Sequence, residues 1–454
     1  MRVLLVSLNR TRLPYPVHPI GLDYVAGALT PGHEVQILDL CPLEEGEIER
    51  AVAGAVREGG PQVVGISIRN ADALDAGRLR EMLSGGRRVV EAIRGVSGVK
   101  VVLGGAGYTI FPAELLEALG ADFGWVGEGE LSRALFDALE AGADPAGLPG
   151  VVVRGRPAPP PAQIYPAVRR RRASPTLNPA LGFYLARGGM LGIQTQRGCR
   201  FRCIYCTYPR IEGHALRPFE AEAVAAEARM LEEAGARFLV VTDSVLNGSP
   251  EHALSVARAF RQGGLRLPWA AYFTPTVPAP GFYEAMRQAG CTHIEFGTES
   301  LADAVLHGLK KPFRRSEALL AHAAALRAGI HVAHFMALGG PGETAETLER
   351  TLDGCEELEG APLFFLVGLR IYPGTELWDL ARAAGQIPEG LGPLETIFYE
   401  PPEMPLAAIA EAVERRGGRR RTWLLPDRAE QAALVSARLH ARGRIGPLWE
   451  MLTA

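Results

Sequence analysis

The stretch Gln194-Thr-Gln-Arg-Gly-Cys199-Arg-Phe-Arg-Cys203-Ile-Tyr-Cys206-Thr-Tyr-Pro209 follows a predicted strand and carries three of the chain's six cysteines. This C-x3-C-x2-C spacing brings three thiolates to one point, as the corners of a [4Fe–4S] cluster require. Because no fourth cysteine lies nearby, one iron would stay open to a ligand from outside the protein. A structural zinc loop needs a second C-x2-C unit or a close histidine, and His214 follows Cys206 only after a long gap. We therefore favour an iron–sulfur site over zinc or inert core cysteines.

The cysteine loop opens a series of alternating strands and helices. The strands are predicted near 192–196, 237–242, 269–273, 292–296, 331–337 and 363–371. The helices are predicted at 221–234, 250–262, 282–288, 316–328 and 344–358. Six βα units favour an open, partial (β/α)6 barrel of the α/β class, with its chemistry at the carboxyl ends of the strands. A helical, arginine-rich stretch follows, and Trp423 and Trp449 are expected to pack it onto the body.

A second α/β pattern precedes the cysteine loop. Strands are predicted at 2–8, 34–38, 63–68, 99–103 and 123–126, and helices at 21–29, 47–57, 78–93 and 112–119. This alternation is typical of a flavodoxin-like, doubly wound parallel sheet. In that architecture a ligand binds where the loops at the carboxyl ends of the strands converge. Those loops are predicted at 9–21, 67–71, 104–112 and 127–130.

Proline and charge mark the connection between the two patterns. The stretch from about 151 to 190 is aperiodic, rich in proline and contains four consecutive arginines at 169–172, which is typical of a linker or strap. The predicted organisation is a first domain at 1–145, a linker or strap at 146–190, a partial barrel at 191–395 and a helical C-terminal region at 396–454.

Composition narrows the classes of function. The net charge of −3 argues against a nucleic-acid partner, since such proteins usually carry a basic excess. No run of about 18 apolar residues predicts a membrane span, and the short apolar start is interpreted as an opening strand, not a signal sequence. The remaining cysteines are scattered, which does not suit a disulfide framework and favours a reducing cytoplasm.

The cysteine loop in its βα context resembles the radical S-adenosylmethionine (SAM) superfamily. The resemblance implies that Cys199, Cys203 and Cys206 bind three irons, and that the amino and carboxyl groups of SAM chelate the fourth. It also implies SAM contacts from Tyr205 in the cysteine loop and from residues near the ends of the later strands. The latter candidates are Asp243, Ser244, Glu295, Glu299, Gly339, Gly340, Arg370 and Tyr372. The family's usual Gly-Gly-Glu after the second strand is absent, so Asp243 and Ser244 are the candidates for holding the SAM amino group.

The first domain is similar to the cobalamin-binding domain that precedes some radical SAM domains. Its matching stretches place eight residues as candidate cobalamin contacts: Pro19, Gly21, Ser67, Arg69, Gly104, Gly105, Gly127 and Glu128. A dinucleotide-binding loop is the alternative, but the G-x-G-x-x-G spacing is not met. The Asp-x-His-x-x-Gly signature is absent, so cobalt would be bound without a histidine. Arg69 is placed beside the lower face of cobalt, the alternative being a surface arginine paired with Asp72 or Asp75.

Together the two resemblances imply a cobalamin-dependent radical SAM methyltransferase. Cobalamin would relay a methyl group from SAM to a carbon centre, or less favourably to phosphorus, of a small-molecule, lipid or peptide natural product. A cyclase or ring-rearranging enzyme with the same cofactors is the first alternative, and a cobalamin-binding sensor or carrier is the second. Methylthio transfer to tRNA would need further cysteines for an N-terminal cluster, and the N-terminal half offers only Cys41.

The substrate side of the site is the least determined by the sequence. Tyr208 and Glu212 border the cysteine loop and are the candidate catalytic contacts to substrate, beside Arg69. The arginine runs at 169–172 and 415–421 could bind an anionic or peptide substrate, but a solvated basic face is the commoner case. The resemblance further implies an electron donor such as flavodoxin or ferredoxin as a partner.

Overall fold

The computed structural model describes residues 1–71, 76–96, 98–163, 174, 176–392, 394–418 and 420–452. Asp72, Asp75 and the arginine run at 169–172 lie outside these residues. Within the described part of the chain, no helix combines the length and the apolar character needed to cross a membrane.

The first unit is built on a six-stranded sheet. Its strands are β1 (Arg2–Ser7), β2 (Glu34–Asp39), β3 (Val63–Ser67), β4 (Lys100–Gly104), β5 (Phe123–Trp125) and β6 (Val151–Val152). Its helices are α1 (Ile20–Leu29), α2 (Ile48–Gly59), α3 (Ala76–Arg94), α4 (Ala106–Ile110), α5 (Pro112–Leu119) and α6 (Arg133–Glu140). The strand order is β2-β1-β3-β4-β5-β6, with β1 to β5 parallel and β6 antiparallel to β5. This confirms the flavodoxin-like, doubly wound sheet predicted from the sequence.

Hydrophobic patterning explains these elements. The strand β1 buries every residue after Arg2, as expected of a parallel strand covered on both faces. The helix α2 buries Ile48, Val52 and Val56, which recur every four residues and form one apolar stripe. It ends at Gly60, whose φ of 51° is the left-handed conformation that closes many helices.

The second unit is built on a seven-stranded parallel sheet. Its strands, with the two of a separate ribbon, are β7 (Met190–Ile193), β8 (Gln196–Arg197), β9 (Arg217–Pro218), β10 (Phe238–Val241), β11 (Trp269–Phe273), β12 (Cys291–Gly297), β13 (His331–Leu338), β14 (Leu363–Val367) and β15 (Trp423–Leu424). The order in the sheet is β15-β14-β13-β12-β11-β10-β7, and β8 pairs with β9 in an antiparallel ribbon.

Eleven helices accompany these strands in the described residues. They are α7 (Leu181–Leu185), α8 (Tyr208–Glu212), α9 (Ala221–Glu233), α10 (Pro250–Gln262), α11 (Phe282–Gln288), α12 (Asp303–Gly308), α13 (Arg315–Arg327), α14 (Ala345–Glu356), α15 (Glu376–Ala383), α16 (Leu406–Gly417) and α17 (Pro426–Ala441). The side chains of Ile294 and Phe296 in β12 join the core that the sheet forms with its helices. Because side chains alternate along a strand, the residues between them lie on the opposite face, which we call the inner face.

Two short strands differ from the sequence prediction. The strand β15 adds a seventh member to the predicted six, with Trp423 paired to Leu363 and stacked within 4.8 Å of Phe365. The strand β6 lies in the stretch predicted to be a linker and joins the first sheet. Both are two residues long, so neither contains enough residues to show an alternating pattern.

Candidate functional site

The cysteine loop begins in the ribbon of β8 and β9. The amide of Cys199 donates to the carbonyl of Gly213 at 3.0 Å, and Gly198 before it has a φ of 86°. A Cβ at Gly198 would collide with the carbonyl oxygen of Ala215, so only glycine fits this turn. All three cysteines are free of disulfides, with Cys199 buried and Cys203 and Cys206 half-buried. The loop is therefore held by the backbone, while its thiols remain available.

The electrostatics of the loop suit a metal cluster. Burial raises the pKa of the Cys206 thiol to about 12 and also raises that of Cys203, and neighbouring cysteines add to both shifts. Such thiols are neutral by themselves, and iron binding deprotonates thiols in the course of ligation. Three thiols that act on one another electrostatically, with no fourth cysteine in the loop, fit a [4Fe–4S] cluster with one open corner.

Three side chains form hydrogen bonds with residues 194–198, which lead into the cysteine loop. Asp243 accepts hydrogen bonds from the amide and the hydroxyl of Thr195, at 2.6 and 2.5 Å. Ser244 donates to the carbonyl of Gly198 at 3.0 Å. Glu212 accepts from the Gly198 amide at 3.0 Å and from Gln194 at 2.9 Å. Burial raises the pKa of Asp243 to about 7 and raises that of Glu212. The bonds of Asp243, Ser244 and Glu212 thus favour positioning of the loop over direct contact with SAM or substrate.

A buried lysine accompanies the predicted SAM candidates at the loop. Tyr205 donates to Glu299 at 2.7 Å, and the other carboxylate oxygen of Glu299 lies 2.7 Å from the ammonium of Lys311. Burial opposes the charge of Lys311, but Glu299 together with the thiols of Cys203 and Cys206 outweighs this effect and raises the pKa of the ammonium. Lys311 also lowers the pKa of Cys203 against the effect of burial. The sequence reasoning missed Lys311, although it is one of only three lysines in the chain.

Four of the remaining SAM candidates lie at the ends of β13 and β14, and the last one, Glu295, lies in β12. The amide of Gly339 donates to Glu343 at 3.2 Å, and Gly340 follows in the same turn. Arg370 donates to the carbonyl of Ala71 in the first unit at 3.2 Å, and its guanidinium lies 4.8 Å from the ring centre of Tyr372. Arg370 therefore contacts the first unit directly and also lies over the ring of Tyr372. Both residues lie at the junction of the two units.

Four buried charges connect the loop after β5 to the cysteine loop. Arg197 contacts Glu128 and Glu130, each at 2.7 Å, and Arg217 contacts the other oxygen of Glu128. The side chains of these residues, which we call the interdomain ion cluster, are at most 8% exposed. Burial opposes the charge of Arg197, but Glu130 and Glu128 outweigh it and raise the pKa of its guanidinium. Glu128 was predicted to contact cobalamin, but its carboxylate forms ion pairs with Arg197 and Arg217. Neither arginine was predicted from the sequence to have a role.

The carboxyl edge of the first sheet leaves room for a large ligand. Pro19 precedes α1, Ser67 and Gly104 end β3 and β4, and no atom lies within 4 Å of where a Cβ would stand on Gly21. Gly105 and Gly127 differ, because their backbones approach those of Ile68 and Ala162 within the chain itself. A cavity of about 930 Å³ adjoins this edge, and Asn9, Arg69 and Asn70 are among its lining residues. A side chain could thus replace the hydrogen of Gly21 without meeting the chain, whereas Gly105 and Gly127 are required by the fold itself.

Arg69 is directed towards the second unit. It opposes the rise in pKa that burial imposes on Tyr15, and the larger rise that Glu295 and burial impose on Tyr272. Tyr272 is 40% exposed although it lies on an inner strand of the sheet, and Tyr208 is 43% exposed. Arg69 of the first unit and Tyr208 of the second unit thus both act electrostatically on Tyr272.

Comparisons with known proteins agree with this arrangement. Family models match the B12 binding domain at residues 6–136 and the radical SAM superfamily at residues 193–355, which confirms both resemblances seen in the sequence. An uncharacterized methyltransferase of Pyrococcus horikoshii is 28% identical over 80% of this chain and 78% of its own length. The tryptophan 2-C-methyltransferase of Streptomyces laurentii is 27% identical over 81% of this chain and 72% of its own length.

A solved structure shares the whole fold. The radical SAM methyltransferase TsrM from Kitasatospora setae, solved with cobalamin and a [4Fe–4S] cluster, superposes with a TM-score of 0.89. The match covers 100% of this chain and 97% of that chain at 24% sequence identity. The order of the two domains and their mutual arrangement are therefore those of TsrM.

Proposed function

We propose that this chain is a methyltransferase that acts on a carbon centre of a small aromatic amine or amino acid. The proposal starts from its membership of the family of cobalamin-dependent radical SAM enzymes. Two curated relatives named as methyltransferases support the reaction, and one of them, a tryptophan 2-C-methyltransferase, supports this choice of substrate over a lipid, a peptide or a phosphorus centre.

The observation that carries the proposal is the interdomain ion cluster. Glu128 lies in the loop after β5, and Arg197 lies two residues before Cys199. Their contact brings the carboxyl edges of the two sheets to the same space, so that one substrate could reach both cofactors. When bound, cobalamin supplies a cobalt that carries the methyl group, and the cluster with SAM supplies the methyl donor and the adenosyl group.

The residues of the chain position these groups. Cys199, Cys203 and Cys206 would hold the cluster, and Lys311 would favour the charged form of Cys203 and Cys206. Asp243, Ser244 and Glu212 keep the loop that carries the cysteines in one conformation. Reaction rates depend steeply on such positioning, because a displacement of about 1 Å can cost about a hundredfold.

Arg69 has a separate role in the proposal. It lines the cavity at the carboxyl edge of the first sheet, and no histidine signature for cobalt is present. A cation at the lower face would disfavour the electron-poor, six-coordinate state of cobalt. In the Arg69→Gln variant we expect an altered absorbance spectrum of bound cobalamin and a reduced rate of methyl transfer. Unchanged spectra and rates would remove Arg69 from the mechanism.

The test is an anaerobic assay of the reconstituted protein with SAM, a reductant and L-tryptophan. We expect S-adenosylhomocysteine to form together with a product 14 mass units heavier than tryptophan. Release of 5′-deoxyadenosine alone would indicate a cyclase, and release of neither product would indicate a sensor or carrier. In the Cys203→Ala variant, iron content and methyl transfer should fall to background, whereas the Cys291→Ala variant, altered at a buried cysteine outside the loop, should retain both.

A further inference from the structure

An acidic residue lies in the middle of the second sheet. Glu295 is the fifth of seven residues in β12, paired with Tyr272 of β11 on one side and Ala333 of β13 on the other. Its neighbours Ile294 and Phe296 are fully buried in the core between sheet and helices. Alternation therefore places the carboxylate of Glu295 on the inner face, towards the space between the two units.

This carboxylate has a neutral partner. The indole N–H of Trp449 donates to it at 3.1 Å, and within the described residues no lysine, arginine or histidine forms an ion pair with it. Burial raises the pKa of Glu295 to about 7. A carboxylate withdrawn from water without a cation is costly, and proteins keep such groups mainly at functional sites.

Aromatic side chains lie on the same inner face of the sheet as the carboxylate of Glu295. Tyr272 stands beside it with 40% of its surface exposed. Phe335 pairs with Gly297 of β12, two residues beyond Glu295, and stacks on Phe364 with ring centres 4.8 Å apart and planes 10° from parallel. We call Tyr272, Glu295, Phe335 and Phe364 the inner-face pocket. Aromatic faces attract cations and also pack against planar rings.

We propose that Glu295 binds the protonated amine of the substrate, whose aromatic ring packs against Tyr272 and the stacked pair of Phe335 and Phe364. The proposal rests on the proposed function for the identity of the substrate as an aromatic amine. The ammonium group supplies the cation that the carboxylate lacks, and the Trp449 N–H orients the carboxylate towards it. The pocket thus selects amines by charge and aromatic compounds by shape.

Binding can be measured without turnover. Isothermal titration of the cofactor-loaded protein, without reductant, would compare tryptamine with 3-ethylindole, which has the same ring but no amine. A charge-assisted hydrogen bond favours the amine, so the wild type should bind tryptamine at least about tenfold more tightly than 3-ethylindole. The Glu295→Gln variant should lose that preference while binding 3-ethylindole as the wild type does.

The control variant is Glu450→Gln, which alters a carboxylate that pairs with His293 at 3.2 Å near Trp449 and should keep the preference for tryptamine. Equal affinities for the two compounds in the wild type, including no detectable binding of either, would overturn the proposal. So would a tryptamine preference that survives Glu295→Gln. A preference that Glu295→Gln abolishes, in a protein that transfers no methyl group, would instead count against the proposed function alone.

Discussion

The interdomain ion cluster and the inner-face pocket both contain carboxylates that are at least partly buried, but the partners of these carboxylates differ. In the ion cluster, Glu128 and Glu130 are each in contact with a guanidinium. In the pocket, Glu295 accepts a hydrogen bond from the neutral N–H of Trp449, and among the described residues no cation forms an ion pair with it. Breaking a buried ion pair is strongly destabilising because it leaves one charge without compensation. The difference suggests that the paired charges hold the two units together, whereas the unpaired carboxylate is kept for a ligand.

The largest expected effect is on the paired side. The Arg197→Met change removes a buried guanidinium and leaves Glu130 without the cation that contacts it at 2.7 Å. We expect a loss of about 3–5 kcal/mol in stability. The midpoint of urea unfolding, followed by circular dichroism, measures this loss. A variant as stable as the wild type would show that the ion cluster does not hold the units together.

The second effect is a dependence of stability on pH at the unpaired carboxylate. The pKa of Glu295 is about 7 in the folded chain and 4.5 for an ordinary glutamate, so the unfolded chain ionises first as pH rises. The wild type should therefore lose stability relative to Glu295→Gln as pH rises from about 4.5 to 7, by up to about 3 kcal/mol. Thermal melts of both proteins across this window measure the difference. A constant difference across the window would contradict the unpaired state.

The smallest effect is expected at a paired arginine on the surface. Arg416 contacts Glu349, Asp353 and Glu356 at 2.5–2.8 Å, its side chain is 26% exposed, and the side chains of its partners are 35–59% exposed. Such pairs contribute little because water screens them, so the change Arg416→Met should cost about 0–1 kcal/mol. The same urea midpoint provides the measurement. If Arg416→Met lost as much stability as Arg197→Met, burial would not explain how much each arginine contributes to stability.

Much of the fold could be predicted from the sequence because its elements are long and strongly patterned. The helices α10 and α11 begin and end at the predicted residues, and each predicted strand is present within a few residues. The cysteine loop was equally accessible, because Cys199, Cys203 and Cys206 are close in the chain and their spacing alone indicates a cluster.

The partners of the predicted polar residues were not accessible in the same way. Glu128 contacts Arg197 across 69 positions of the chain, and Glu295 contacts Trp449 across 154. No local pattern records such pairs. The sequence singled out Glu128, Glu212 and Asp243 as polar residues at the ends of strands or loops, but not the groups that occupy their oxygens.

The sequence by itself determined the two α/β units, their order and the three thiols of the cluster loop, since all of these follow from local spacing and hydrophobic periodicity. Only the tertiary structure decided which buried charges are paired. Whether a carboxylate supports the fold or awaits a ligand depends on which cation lies within a few ångströms, and contacts between distant parts of the chain set that distance. Glu128 and Glu295 look alike in the sequence, and the folded chain pairs one of them with two arginines and the other with the neutral N–H of Trp449.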